Sequence, residues 1–441
     1  MSRFLKVMIV LLAIAAMAAP AMAEVTLNGY FRVQGTMQSP SNNKYDGKAF
    51  SGLFENFETT NNKNLSNRSF VDQRIRLKMT DKLNDNVTVV WYGEYDMPFG
   101  DKSARTLSGS GGELSADGIG IETKNAYVDF KVPNSSWSVR TGIQGYGLGS
   151  HYEGFVVQDD MNGIKAKGMA GPVALTAGWF KWKENEWDGS DDVDYYSLAG
   201  EVKVSDQVKF GLTADLIKND STSAVNGSAA KTDDYYYGAY GSYTMDNLGF
   251  AGSLLFRNSK GQDSGATDGN TWMLNLYAKA ALANGNIKLH GIYIPADDSS
   301  GGTDRFSANQ SGWELHADNL MIFGTDIYYN NGSQGAVNVY TSAYKGYGLM
   351  GLTVSGDYKL PEASYLKYGA GYFMAADENP GGATTAKSDA DLGLEVATQI
   401  GKKFAEKYDV SIRGSYAFMG DFYGNNVDDL YKVVTMLNVS F

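Results

Sequence analysis

Apolar and polar residues alternate along much of this chain with a period of two. In one segment Val25, Leu27, Phe31 and Val33 alternate with Thr26, Asn28, Tyr30, Arg32 and Gln34. In the next, Ile75, Leu77 and Met79 alternate with Arg74, Arg76 and Lys78. Side chains of a strand point to opposite faces in turn, so each segment predicts a strand with one apolar and one polar face. Three cations on successive inward positions do not fit a dry core. They fit a sheet with lipid on one side and water on the other.

Such segments pair through very short connections. The turns are read at Asn84-Asp85, Pro133-Asn134, Gly171-Pro172, Ser205-Asp206, Asp246-Asn247, Asn284-Gly285, Pro361-Glu362 and Ala405-Glu406. Most carry residues that tolerate tight backbone geometry. Between the pairs lie longer polar stretches, among them 38–68, 98–121, 218–232 and 259–270. Eight hairpins with unpaired segments at 25–37 and 430–441 predict an all-β, transmembrane antiparallel β-barrel of about 18 strands. Sixteen and twenty are the alternatives. Twenty would require a further hairpin around Asn330, Asn331 and Gly332, with strands at 320–329 and 336–344. The preferred reading makes 297–345 one long loop folded into the pore.

Residues 1–23 read as a secretory signal peptide. Arg3 and Lys6 precede an apolar run at 7–19, about 13 residues long, and Ala21, Met22 and Ala23 supply a small-x-small cleavage site. The run is short for a transmembrane helix, and no other stretch approaches 18 continuous apolar residues. The barrel is therefore placed at 24–441, and the cell outer membrane is the expected location.

Composition narrows the chemistry. The chain has no Cys, which excludes disulfides, c-type haem attachment and thiolate metal sites. Its formal charge is −12, or −14 once Arg3 and Lys6 leave with the signal, which argues against nucleic acid as a partner. With 29 Tyr and 7 Trp, aromatic girdles at the two membrane interfaces are expected; a sugar-binding aromatic stack is the functional alternative.

The final segment places Tyr431, Val433, Leu437, Val439 and Phe441 on one face, with Lys432, Asn438 and Ser440 on the other. A terminal Phe on this alternation resembles the signal read by the outer-membrane barrel assembly machinery. Export signal, immediate first strand, the Arg74-x-Arg76-x-Lys78 strand, acidic loops and Phe441 together resemble a Gram-negative porin over residues 24–441. The segment from Val139-Arg140 to Gln144, then Asp159-Asp160 and Gly163, resembles the homotrimeric porins of sulfate- and metal-reducing bacteria. The resemblance implies a trimer of water-filled channels in outer-membrane lipid and lipopolysaccharide, passing small hydrophilic solutes without a cofactor.

On the watery face the alternation sets out a basic wall of Arg32, Arg74, Arg76, Lys78, Arg140 and Arg413, with Glu94 and Asp96 as the facing acids. Such a wall biases a pore toward anions. The opposing reading is that the cations pair with Glu94, Asp96 and loop carboxylates and simply brace the wall. Two segments are candidates for a constriction, 147–158 with Tyr152, Glu153 and Phe155, and the longer 297–345, which is preferred.

Enzymatic readings fail on spacing. The three His residues (His151, His290 and His316) form no zinc motif, and Gly145-Tyr-Gly147-Leu-Gly149 lacks the dinucleotide pattern. The pair His316 and Asp318 reads as a solvated loop pair. A Ca²⁺ site is conceivable at Asp188, Asp191, Asp192 and Asp194, against the simpler reading of a hydrated acidic loop.

Overall fold

The structure is a computed structural model. It describes residues 24–39, 68–100, 121–147, 150–152, 157–184, 191–221, 231–262, 268–299, 303–306, 318–324, 339–382, 386–424 and 427–441. Both the signal segment and Asp188 lie outside these residues.

The strands are β1 (Glu24–Gln38), β2 (Arg68–Lys82), β3 (Val87–Pro98), β4 (Glu122–Lys131), β5 (Ser138–Gly147) and β6 (Gln158–Ala170). They continue with β7 (Val173–Lys183), β8 (Val193–Lys203), β9 (Val208–Asn219), β10 (Thr232–Met245), β11 (Leu248–Gly261) and β12 (Gly269–Leu282). The series ends with β13 (Gly285–Ile294), β14 (Leu349–Lys359), β15 (Ser364–Met374), β16 (Asp391–Phe404), β17 (Tyr408–Met419) and β18 (Leu430–Ser440). All 18 form one sheet in which every strand pairs with its sequence neighbours and β1 also pairs with β18. The barrel is closed and antiparallel throughout. Closure is physically required in lipid, where each unpaired backbone group costs several kcal/mol.

At the seam, Tyr30 to Gln38 pair with Ser440 to Lys432. Phe441 extends that ladder, since Gly29 N–H donates to its carbonyl at 2.9 Å and its own N–H donates to Gly29 O at 3.0 Å. A side chain at Gly29 would run into the Arg76 carbonyl of β2, which explains a glycine beside the seam.

Burial is inverted relative to a water-soluble protein. Leu27, Leu198, Phe256, Leu276 and Ile412 are exposed on the outer face, whereas Gln34, Arg74, Asn275, Glu395 and Arg413 are buried inside. Along β9, for instance, exposed Phe210 and Leu212 alternate with buried Thr213 and Asp215 on the inner side. The outer band meets lipid tails and the inner wall meets water and other protein, so the alternation survives with its meaning reversed.

Seven of the eight short connections fall where the pattern predicts them. Gly171 has φ 60° ahead of Pro172, placing a glycine first in a two-residue hairpin loop, where a positive φ is required. Ala405 and Glu406 adopt φ values of 47° and 60° without glycine's freedom. One turn is shifted by a residue from its expected position. Leu282 pairs with Gly285, so the loop is Ala283 and Asn284, and Gly285 already belongs to β13. A Cβ at Gly285 would meet the Asp357 backbone of β14.

Residues 295–348 add no strand among the described residues. They include a helical turn at Tyr340–Tyr344 where a twentieth strand would have passed. The count is eighteen.

Candidate functional site

The lumen wall carries the charged positions and holds two segments that enter the barrel. Among strand residues on the inward face, basic side chains outnumber acidic ones, although the whole chain carries −12. The acidity therefore resides elsewhere than on this wall.

Arg32, Arg74, Arg76, Lys78 and Arg140 all lie on the inward faces of β1, β2 and β5. Arg32 is directly across from Arg74 in the β1–β2 ladder. Arg74 Nε donates to Asp96 Oδ1 at 2.6 Å, and its Nη2 lies 3.3 Å from Glu94 Oε1. Arg76 pairs with Glu94. Arg140 makes a two-pronged contact with Asp129 at 2.7 and 2.8 Å and covers the Tyr127 ring at 3.8 Å. Forked Arg–carboxylate pairs fix both partners in direction as well as distance. The wall thus presents cations already oriented by acids, a combination of the two sequence readings.

Arg413 has a different environment. It faces Val434, which in turn lies opposite Thr36, so it sits at the level of Thr36 and away from Arg32. Its guanidinium donates to the carbonyls of Asn319 and Leu320 at 2.8 and 3.2 Å. Those residues belong to the segment between β13 and β14, which is drawn onto the wall.

That segment is anchored chiefly through its main chain. Glu395 of β16 accepts from the N–H groups of Met321 (2.6 Å), Ile322 (3.1 Å to each oxygen) and Phe323 (2.7 Å). Ser415 Oγ also donates to it at 2.5 Å. Arg257 of β11 donates to the carbonyls of Thr303 and Arg305 at 3.3 and 2.6 Å while pairing with Asp234 at 2.7 Å. Leu320, Ile322 and Phe323 are fully buried, and the Phe323 ring meets Phe373 of β15 edge-on at 5.9 Å. Burying such side chains stabilises the inward position by about 1.5–3 kcal/mol each.

Asp318 is buried, contrary to the solvated loop pair expected from its neighbour His316. Its carboxylate lies 2.6 Å from His290 Nδ1 and 2.5 Å from Lys288 Nζ, both on β13. Burial alone would raise its pKa. The His290 hydrogen bond and the charges of His290 and Lys288 outweigh that and hold it at about 2.

The second inward segment joins β5 to β6. Its short 3-10 turn, Ser150–Tyr152, crosses to the far wall formed by β9 to β12. Tyr152 is buried there, with its hydroxyl 3.4 Å from Thr213 Oγ1, and burial pushes that hydroxyl up to about 12. His151 stacks on Tyr240 at 3.9 Å, and its carbonyl accepts from Ser253. Both candidate constriction segments therefore enter the lumen and cover different arcs of its wall. Glu153 and Phe155 lie outside the described residues.

Aromatic side chains gather beside this turn. Tyr146, Phe180, Tyr195 and Trp182 form a connected set with ring centroids 4.6–6.0 Å apart. Phe180 and Tyr195 are fully buried, so they serve as packing between wall and turn, where a sugar would find no open ring face.

Asp192 and Asp194 converge on Lys181 at 2.6 and 3.2 Å. Among the described residues no group of three or more His, Asp or Glu side chains is disposed to hold a metal ion. Tyr431, Leu437 and Val439 share the outer face of β18, with Leu437 and Phe441 exposed toward lipid.

No family model and no curated protein matches the chain. Its fold, by contrast, is shared with solved bacterial structures, one of them described as an outer membrane protein. OpdL of Pseudomonas aeruginosa is 11% identical with a TM-score of 0.56, over 95% of this chain and 99% of that one. OccAB1 of Acinetobacter baumannii is 11% identical with a TM-score of 0.53, over 96% and 99%. The outer membrane protein OpdK of P. aeruginosa is 12% identical with a TM-score of 0.52, over 94% and 98%. At these identities the likeness shows the fold alone, the closed antiparallel β-barrel of eighteen strands.

Proposed function

We propose that this chain is a passive outer-membrane channel for small hydrophilic solutes, leaning toward anions. The observation that carries the reading is the charge balance of the inward strand faces, basic on a chain that is acidic overall. Fixed cations in a narrow, low-dielectric passage raise the local concentration of anions and lower the barrier to their entry. Asp96 and Asp129 fix the positions of the Arg74 and Arg140 guanidinium groups, so these fixed charges keep their place in the wall as an anion passes. OpdK has been solved with vanillate, a carboxylate, on the same architecture. Small organic carboxylates are accordingly the first solutes to test here.

Export through the segment 1–23, insertion by the barrel assembly machinery through the β18 face ending in Phe441, and a lipopolysaccharide-containing bilayer belong to the same reading. So does a homotrimer of the kind found in porins of sulfate- and metal-reducing bacteria, supported by the stretch from Val139 to Gly163. Reversal potential across a salt gradient tests the core of the proposal. Anion preference that falls in the R74A/R140A double variant supports it; cation preference unchanged by that variant overturns it. A substrate-selective channel is the second reading, favoured by the two inward segments that narrow the lumen. Saturable flux of one solute class would distinguish it from linear diffusion.

A further inference from the structure

A furrow crosses the outer wall over the β1–β18 seam, between two rows of residues that follow the strand register. In the lower row Ser364, Lys402, Val410, Leu437 and Val33 each lie directly across from the next, from β15 to β1. In the upper row Ile400, Ile412, Thr435, Gly35 and Val71 do the same, from β16 to β2. The wall is hollow where the upper row becomes small. Gly35 has no side chain, and Thr435 turns its hydroxyl onto the Gly35 carbonyl at 3.4 Å. What the furrow presents is therefore apolar, with Ile400, Val410, Ile412 and Leu437 exposed along it. Its volume is about 930 Å³, inside the range of about 300–1,000 Å³ typical of clefts that hold a small ligand.

The furrow climbs through the membrane. Ser364 opens β15 beside a short turn, at the periplasmic end of the barrel, whereas Val71 lies near the start of β2 at the end of the long loops. Strands spaced by about 4.8 Å make it roughly 24 Å long from β15 to β2. With a strand tilt of about 35–45°, that length rises by roughly 15 Å. Half of a hydrocarbon core about 30 Å thick is the same distance, so the furrow has the depth of one leaflet.

Its foot carries a positive charge at the right level. Lys402 turns its ammonium over the Phe404 ring at 5.7 Å, and Phe404 and Tyr408 are exposed at this rim, where aromatic rings mark the headgroup region. Lys402 also meets Glu362 at 2.8 Å, but both side chains are exposed, and such pairs hold weakly enough for a phosphate to compete. We propose that the furrow binds one phospholipid of the periplasmic leaflet, its phosphate at Lys402 beside Ser364 and one acyl chain laid diagonally across the seam. A lipid of the opposite leaflet would bring its phosphate to Val71 and Val33, which offer it no partner. Bound this way, the chain touches β18 at Leu437 and β1 at Val33, adding apolar contact across the ladder that closes the barrel. The proposal rests on the membrane reading of the outer face and is independent of conduction through the lumen.

The full chain, delipidated in detergent, is titrated with a phosphatidylglycerol that bears a photoreactive group near the end of one acyl chain. Native mass spectrometry should show saturable binding of one lipid per chain. Irradiation of the unmutated protein should label β1 and β2 around Val33 and Val71, an answer that needs no variant to fold. In G35L the new side chain fills the furrow, and in K402E the charge at its foot is reversed; each should weaken binding tenfold or more. G241L, the same substitution at an outward glycine of β10, should leave binding unchanged. Labels spread evenly around the wall, or wild-type binding in both G35L and K402E, overturns the proposal. So does a multimer of the delipidated protein that G35L dissociates, because a second copy would then fill the furrow. A chain that stays folded and monomeric in water without detergent would refute the membrane reading itself, and the site with it.

Discussion

Glu395 offers the sharpest test of how the lumen is shaped. Replacing it with Gln preserves size and removes one acceptor oxygen along with the charge. In the better of the two amide orientations the surviving oxygen keeps Met321 N–H and Ser415 Oγ, which lie 2.6 and 2.5 Å from Oε1. The new NH₂ group then faces Phe323 N–H, which donated to Oε2 at 2.7 Å. One buried N–H is orphaned, at about 1–3 kcal/mol, and the remaining bonds lose their charge assistance. The total is about 2–4 kcal/mol against the inward position, or roughly a 30- to 700-fold increase in local opening at 1.4 kcal/mol per tenfold. Leu320, Ile322 and Phe323 still contribute about 5–9 kcal/mol of apolar burial between them. The segment should therefore open more often and yet remain inward on average. Hydrogen exchange at residues 321–323 of the detergent-solubilised barrel measures this directly. If protection in E395Q stays within about threefold of wild type while the barrel remains folded, the main-chain anchor is not what holds the segment.

Three further outcomes follow from the same geometry. In G238V the new side chain collides with the Tyr152 hydroxyl and Thr213, so the Ser150–Tyr152 turn should leave the wall and single-channel conductance should rise; unchanged conductance would place the constriction elsewhere. Asp318 has a folded pKa of about 2, below the usual value near 3.8, so its contribution is complete above about pH 4 and is lost as pH falls through 2. Exchange at its amide should accordingly be flat between about pH 4 and pH 7 after correction, and increase only in stronger acid. A405G relieves a left-handed alanine at φ 47° and should stabilise the β16–β17 hairpin by about 0.5–1 kcal/mol, seen as a higher unfolding midpoint.

The strands and short turns were legible because lipid and water impose a strict period of two on every strand. The Ala405-Glu406 turn lacks turn-forming residues, and its place follows from the length of the strands on either side. The charged partners in adjacent strands were also within reach. Arg74 and Asp96 are direct cross-strand neighbours, so register alone brings them together. What alternation could not show is which segments turn inward. Glu395, Arg257 and Arg413 hold the segment between β13 and β14 by backbone N–H and C=O groups, which nearly every residue possesses. Such contacts impose no side-chain pattern on the captured residues. Asp318 was misread for a related reason. Its partners, Lys288 and His290, lie on β13, on the far side of a long loop, and its sequence neighbour His316 drew attention to the wrong pairing. The one available signal was the apolar run Leu320, Met321, Ile322 and Phe323, unusual for a solvated loop.

The β1–β18 seam has a consequence for how the barrel comes into being. Each of the eight hairpins joins residues close in the chain, so those ladders can form early at little cost in loop closure. The seam joins Thr36 to Val434 and Arg32 to Asn438, across nearly the whole chain. Until it forms, the protein is an open curved sheet with two long unpaired edges. In water those edges invite pairing with other chains, and in hydrocarbon their free N–H and C=O groups are too costly to leave bare. The unclosed sheet therefore has no comfortable solvent of its own. Its first and last strands carry that cost together until they pair with each other.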